Sequence, residues 1–257
     1  MQTKDLNSKP LVEAIFEIRW KLQSPTGGIN IDPHYKIVVG MLYNRLKEDY
    51  PEHKPLPSAS VPDEIAGYVI QHQFRRIKEG WPVVQIGPGI LTVNDTKSYH
   101  WDDFKTRCLK TVKILFEVYP DAFNSLKIEG LLLRYIDAYN FDYNNKNILE
   151  FLKEKMKTTI SLPDSFFTGS NVKNMPLELD TKFVYPLTKP QGVVVLRLVN
   201  GQKERQNAII WETMVQSKNT GLPQIPDNLE RWLEESHSIM HDWFFKLIEG
   251  ALEKEFE

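Results

Sequence analysis

A single cysteine, Cys108, stands among the 257 residues. That scarcity excludes an intrachain disulfide and any cysteine-rich zinc module. No apolar run approaches the ~18–20 residues a membrane-spanning helix needs, so no membrane partner is expected. Neither charge dominates: 32 basic residues against 34 acidic ones give a formal net charge of −2. The chain as a whole therefore has no electrostatic drive to condense on nucleic acid or anionic lipid. Lys4, Asp5, Lys9, Glu13, Glu17 and Arg19 scatter charge through the amino-terminal region, leaving no apolar stretch of signal-peptide type. The expected setting is a reducing cytoplasm. Catalytic signatures are equally scarce. There is no G-x-S-x-G elbow, and Gly87-Pro88-Gly89 lacks both a Walker lysine and the spacing of a dinucleotide turn. Cys108 lies on an apolar helical stripe with no adjacent histidine. The reading leans away from an enzyme, and no cofactor is expected.

What is present is the make-up of an ordinary folded chain: 41% hydrophobic, 11% aromatic and 26% charged residues, close to the soluble globular average. Residues 11–22 alternate as a strand. Asp32-Pro33 opens a helix whose apolar positions Tyr35, Val38, Leu42 and Leu46 repeat at helical spacing, and Pro51 ends it. Four prolines make 51–66 an extended connection. Strands are expected near 67–79 and 82–94, the second interrupted by a bulge or kink at Gly87-Pro88-Gly89. A helix from Asp102 carries the stripe Phe104, Cys108, Val112, Leu115 and Tyr119. Residues 128–142 are apolar on both faces in the middle, the mark of a central strand. A short helix at 147–157 and a loop at 158–175 lead to strands near 176–187, 192–200 and 206–216. A final helix, nearly thirty residues long with its aromatic face mostly buried, runs from about 228 to 255. Neighbouring strands without helical crossovers predict an α+β fold, a largely antiparallel sheet with packing helices and a long C-terminal helix. It is read as a single α+β domain over 1–257, with two subdomains, 1–145 and 146–257, as the alternative.

Three groups of residues carry candidate chemistry. Arg19, Arg134 and Arg197 each lie inside an apolar strand, where a guanidinium needs a carboxylate, a wet cavity or a sheet edge. Glu13, Glu17, Asp137 and Glu212 are the available acids. Arg19, Arg134, Asp137, Arg197 and Glu212 thus form either a buried ion-pair network or a polar cavity for an anionic ligand. His237 and His241 have the spacing that places two imidazoles on one helical face. With no third ligand nearby and Ser238 where a metalloprotease helix has its glutamate, packing is preferred to a metal site. The third group is a basic segment. Residues 71–113 hold eight basic and four acidic residues, and 227–257 hold three basic and nine acidic ones. Phe74, Arg75, Arg76 and Lys78, with Trp81, Tyr99 and Trp101 nearby, could stack and neutralise nucleic acid. Charged strand edges and packing of the acidic helix over the basic segment explain the same pattern.

The start PLVEAIFE at 10–17, the strand GPGILTVN at 87–94, the aromatic stretch SYHWDDF, the strand LRYID at 133–137 and a last helix bearing His237, Ile239 and Phe244 resemble a sporadically distributed prokaryotic family. That family is functionally uncharacterised, and its members are of about this size. The resemblance spans nearly the whole chain and brings no assigned reaction. Members often carry Asn where this chain has Asp137, which takes weight off a catalytic role for that carboxylate. The expected function is a non-catalytic interaction or regulatory subunit, working as a homodimer or with a protein partner; sporadic occurrence suits an accessory defence or toxin-control system. The alternatives are a small-molecule-binding or hydrolytic domain with an arginine-lined pocket, and a nucleic-acid binder using the basic segment.

Overall fold

A computed structural model describes residues 6–24, 28–96 and 99–257. Lys4 and Asp5, residues 25–27 of the first loop and Lys97 of the basic segment lie outside the described residues. The chain runs β1 (Leu11–Trp20), α1 (Tyr35–Leu46), β2 (Glu52–Pro55), β3 (His72–Arg75), β4 (Val83–Gly87), β5 (Ile90–Asp95), α2 (Trp101–Val118), α3 (Ala122–Ser125) and β6 (Ile128–Asn140). It continues through α4 (Ile148–Lys155), β7 (Asp180–Thr188), β8 (Gln191–Lys203), β9 (Gln206–Lys218), α5 (Leu229–Ile248) and α6 (Ala251–Phe256). The strands form one sheet in the order β2-β3-β4-β5-β1-β6-β9-β8-β7, and every neighbouring pair is antiparallel. The α+β architecture expected from the sequence is therefore present. No helix among the described residues is long and apolar enough to cross a membrane.

The order of elements contains a repeat of structure. A strand, a helix, an antiparallel meander and a closing helix occur first as β1 to α2 and again as β6 to α5. The leading strands β1 and β6 pair with each other at the middle of the sheet, and the closing strands β5 and β9 flank them. The two halves are thus related by a topological two-fold between β1 and β6. The β6–β9 ladder joins residues on either side of 145, so both halves contribute to one sheet.

Alternation decides which residues meet the helices. Phe16, Ile18 and Trp20 of β1, Leu131, Leu133 and Tyr135 of β6, and Trp211 and Val215 of β9 are buried against the helix layer. The intervening positions, such as Glu17, Arg134 and Met214, are half-exposed on the other side. Two apolar clusters result. The larger surrounds Phe16, Trp20, Phe104, Leu133 and Trp232, and the smaller surrounds Leu152, Trp211, Ile248 and Phe256. Asp32, expected to cap α1, does more than that. Its carboxylate accepts from the Trp20 indole (2.8 Å) and the Tyr119 hydroxyl (2.9 Å), as well as from the His34 amide (3.1 Å), and so ties β1, α1 and the end of α2 together.

Three sequence expectations need correction. The 67–94 region forms three strands, because Gly87-Pro88-Gly89 is a hairpin corner: Gly87 pairs Ile90, and Gly89 takes φ +76°, which suits glycine. The proline-rich stretch contains the short edge strand β2. The C-terminal helix is two helices, since Gly250 at φ +97° ends the helical ladder between Ile248 and Ala251.

Candidate functional site

Where β6 passes beneath α5 and the start of α2, side chains leave a cavity of about 370 Å³, within the size range of small-molecule sites. It lies between the two apolar clusters: Tyr135 and Met240 belong to the larger, while Phe244 and Phe245 pack against the smaller. β6 supplies Tyr135 and Asp137 to its wall, the entry to α2 supplies Tyr99 and Trp101, and α5 supplies His237, His241, Phe244 and Phe245. Tyr135 and Asp137 are two residues apart and so share the helix-facing side of the strand. Positions 237, 241, 244 and 245 share one side of α5 by helical spacing.

The polar groups form a chain along the wall. Tyr99 and Tyr135 share a hydroxyl–hydroxyl hydrogen bond of 2.6 Å, and the Tyr135 hydroxyl shares another of 2.9 Å with His237 Nδ1. Trp101 stacks flat on the His237 ring, centroids 3.8 Å apart and planes 9° apart. His241 lies 5.6 Å from His237 and 4.7 Å from the Phe245 ring, centroid to centroid. Burial, reinforced by the neighbouring His241, pushes the His237 pKa down to about 3, so its imidazole is neutral at physiological pH. Burial also lowers His241, opposed by Asp242. It raises the Tyr99 and Tyr135 phenols well above their usual range.

Asp137 is the outlier. Only 3% exposed, it reaches the cavity yet makes no side-chain hydrogen bond or ion pair with any described residue. Burial raises its pKa to about 8, an effect only partly offset by the charge of Lys203. At neutral pH the cavity wall therefore carries an uncharged carboxyl beside uncharged imidazole and phenol groups.

The arginines expected to line a pocket do not line this one. Position 134 differs from 137 by an odd number, so the two side chains leave opposite faces of β6. On the outer face Arg134 pairs Glu212 at 2.7 Å. Arg197 grips Asp180 at 2.8 and 2.6 Å and approaches the same Glu212 at 3.9 Å. Arg134 and Arg197 do converge on one acid, but they are 31% and 35% exposed rather than buried, because no helix covers that face. Arg19 pairs Glu17 at 2.6 Å and lies over the Tyr68 ring. The five residues Arg19, Arg134, Asp137, Arg197 and Glu212 are thus split by the sheet. Four of them belong to surface ion pairs, and only Asp137 belongs to the cavity.

The basic segment is also largely consumed by the fold. Phe74 is fully buried on the helix side of β3 and cannot stack a base. Arg75 bonds Gln73 and the Gly80 carbonyl and lies near the Trp81 ring; Arg76 and Lys78 are exposed. Arg107 pairs the buried Asp95, and Lys105 pairs Glu234 of α5, so the acidic helix does pack over the basic segment. His237 is a hydrogen-bonded, stacked side chain, and no cluster of three or more metal-ligating side chains occurs among the described residues. The residues that sequence reasoning missed are Tyr135 and Phe245, while Tyr99 and Trp101, read there as aromatics beside a nucleic-acid surface, belong to the cavity wall instead. The signal for Tyr135 was the aromatic position within LRYID. No family model and no curated protein matches the chain.

Proposed function

We propose that this chain is a non-catalytic binding protein, with a small organic molecule seated in the cavity between β6, α2 and α5. The observation that carries the reading is Asp137, a buried carboxyl turned into an aromatic-walled space with no partner from the described chain. Buried polar groups in folded proteins are almost always bonded, and an unbonded one points to a partner from outside. Catalysis is not favoured by the same surroundings. His237 is too weakly basic to take a proton near neutrality, and among the described residues the cavity wall offers no serine or cysteine nucleophile. The test is titration with benzamide, followed by tryptophan fluorescence, in wild type and in His241→Trp, which places an indole in the space. Saturable binding in the wild type, at millimolar fragment strength or about −4 kcal/mol, and its loss in the filled variant are expected. Equal behaviour of the two proteins would overturn the reading.

A second reading concerns the outer sheet face. Leu132, Ile136, Ile210, Met214 and Val193 are half-buried there among the ion pairs, and Val195 is buried. A solvated antiparallel face ordinarily reads polar at those positions. This supports burial of the face against a second copy of the chain, most economically about a two-fold axis. Charge pairing between the basic and acidic segments no longer motivates a dimer, because Lys105 meets Glu234 within one chain.

A further inference from the structure

We propose that the ligand of this cavity is an organic cation, a protonated amine or amidine on a compact apolar or aromatic body, anchored by ion-pairing to Asp137. The proposal rests on the ligand-binding reading and adds the charge and functional group of what binds. Three observations support it. First, the group lacking a partner is an acid, whose ionised form accepts only, so the partner that lets it ionise is a hydrogen-bond donor. Second, the cations that could hold an anion are directed elsewhere: Lys9 on the wall points its ammonium at the Tyr99 carbonyl oxygen. The arginines that could hold an anion are on the far side of the sheet, engaged by Glu212, Asp180 and Glu17. Trp101, Phe244 and Phe245 contribute π-systems whose faces attract positive charge. Third, a neutral donor would leave the carboxyl desolvated and protonated. A cation lets it ionise and form the stronger, charge-assisted bond.

The titratable and charged groups that line the cavity with Asp137 are Lys9 from the amino-terminal segment, Tyr99, His100 and Asp102 at the entry to α2, Tyr135 on the same strand, and His237 and His241 on α5. Lys203 acts on the carboxyl by charge alone. Lys9 directs its ammonium to the Tyr99 carbonyl oxygen at 3.4 Å. His237 is already neutral across the useful pH range. Binding is then an exchange: the Asp137 O–H proton leaves to solvent as the ligand cation arrives, so one proton is released per cation bound below the carboxyl's pKa.

Benzamidinium, benzamide and benzoate have closely similar shapes and differ in charge, which makes them suitable probes. Titrations of the full chain by tryptophan fluorescence and by calorimetry, in buffers of different ionisation enthalpy, read affinity and proton release together. Benzamidinium is expected to bind at least about tenfold tighter than benzamide near pH 8, and benzoate weakest. Its affinity should rise by up to about tenfold per pH unit from about pH 6 and flatten above about pH 8. In Asp137→Asn the slope and the preference for the cation should vanish while benzamide still binds. His100→Gln and His241→Gln should keep the slope, which excludes the histidines as its source. Benzamide or benzoate binding as tightly as benzamidinium, or an unchanged slope in Asp137→Asn, overturns the cation proposal and leaves the cavity reading standing. Absence of saturable binding by all three probes to the wild type overturns both.

Discussion

At the scale of single residues, Asp137 and Asp32 show the same side chain under opposite conditions. Asp32 accepts from Trp20, Tyr119 and two backbone amides, whereas Asp137 has its surroundings against it. In the unfolded chain Asp137 ionises in the ordinary carboxylate range, and in the folded state near pH 8. Between those values the native state holds the extra proton, so stability falls as pH rises from about 4 to about 8 and levels off above. Asp137→Asn removes the ionisable group while keeping the shape. It should raise the urea midpoint most at about pH 8, with the advantage shrinking toward pH 4; each pKa unit is worth about 1.4 kcal/mol as an upper limit. A gap independent of pH would show that ionisation of this group does not govern stability. Asp32→Ala should do the reverse, stranding the buried Trp20 indole N–H and the Tyr119 hydroxyl at a cost of about 1–3 kcal/mol each. Denaturant unfolding checks it, and a loss below about 1 kcal/mol would mean that water replaces the carboxylate.

At the scale of elements, α5 divides its work along its length. As far as Met240 it inserts Trp232, Leu233 and Met240 into the larger cluster; Trp232 packs edge-on to Phe16 and donates from its indole to Ser217. Beyond Met240 it presents Trp243, Phe244 and Phe245, which are only partly buried, and the last two border the cavity. The sequence expectation of a mostly buried aromatic face therefore holds for Trp232 and not for Trp243, Phe244 and Phe245. Trp232→Ala should cost about 3–5 kcal/mol. Phe244→Ala should cost clearly less, because the space beside it is already open. Guanidinium melts of the two variants decide this, and equal losses would contradict the division. The β4–β5 hairpin rests on a close approach instead of an apolar contact: a Cβ at Gly87 would meet the Val69 carbonyl oxygen at 1.9 Å. Gly87→Ala must displace the 68–70 segment from the sheet, so accelerated amide exchange at Tyr68 and Gln71, whose amides bond Pro88 and Ile86, is the expected readout.

At the scale of the molecule, the helices cover one face of the sheet, and no described helix covers the other. A second copy over that face predicts a dimer mass by light scattering at micromolar concentration. Ile136→Glu, altering a half-exposed outer position opposite the cavity side, should convert it to monomer while changing the melting temperature little. A monomer mass for the wild type across salt concentrations would remove the second reading and leave the cavity untouched.

How much of this was legible beforehand follows from the range of the forces involved. Alternation in LVEAIFEIRW and the doubly apolar GLLLRYID specified two strands, one of them central, and Pro51 marked a helix end; these are local properties of the chain. Parity along β6 alone already placed Arg134 and Asp137 on opposite faces, a constraint in the sequence that a shared pocket would have violated. The break at Gly250 was less legible, since an isolated glycine in an apolar pattern becomes a stop only when its φ turns positive. The cavity was not legible at all. It exists because α5, joined to β9 by the chain, crosses β6 and the start of α2, bringing His237 to Tyr135 and Trp101 across more than a hundred residues. Local periodicity sets which side chains leave each face. Only the long-range pairing of β1 with β6, and the packing of two helices over that seam, decided that one buried carboxyl would face open space.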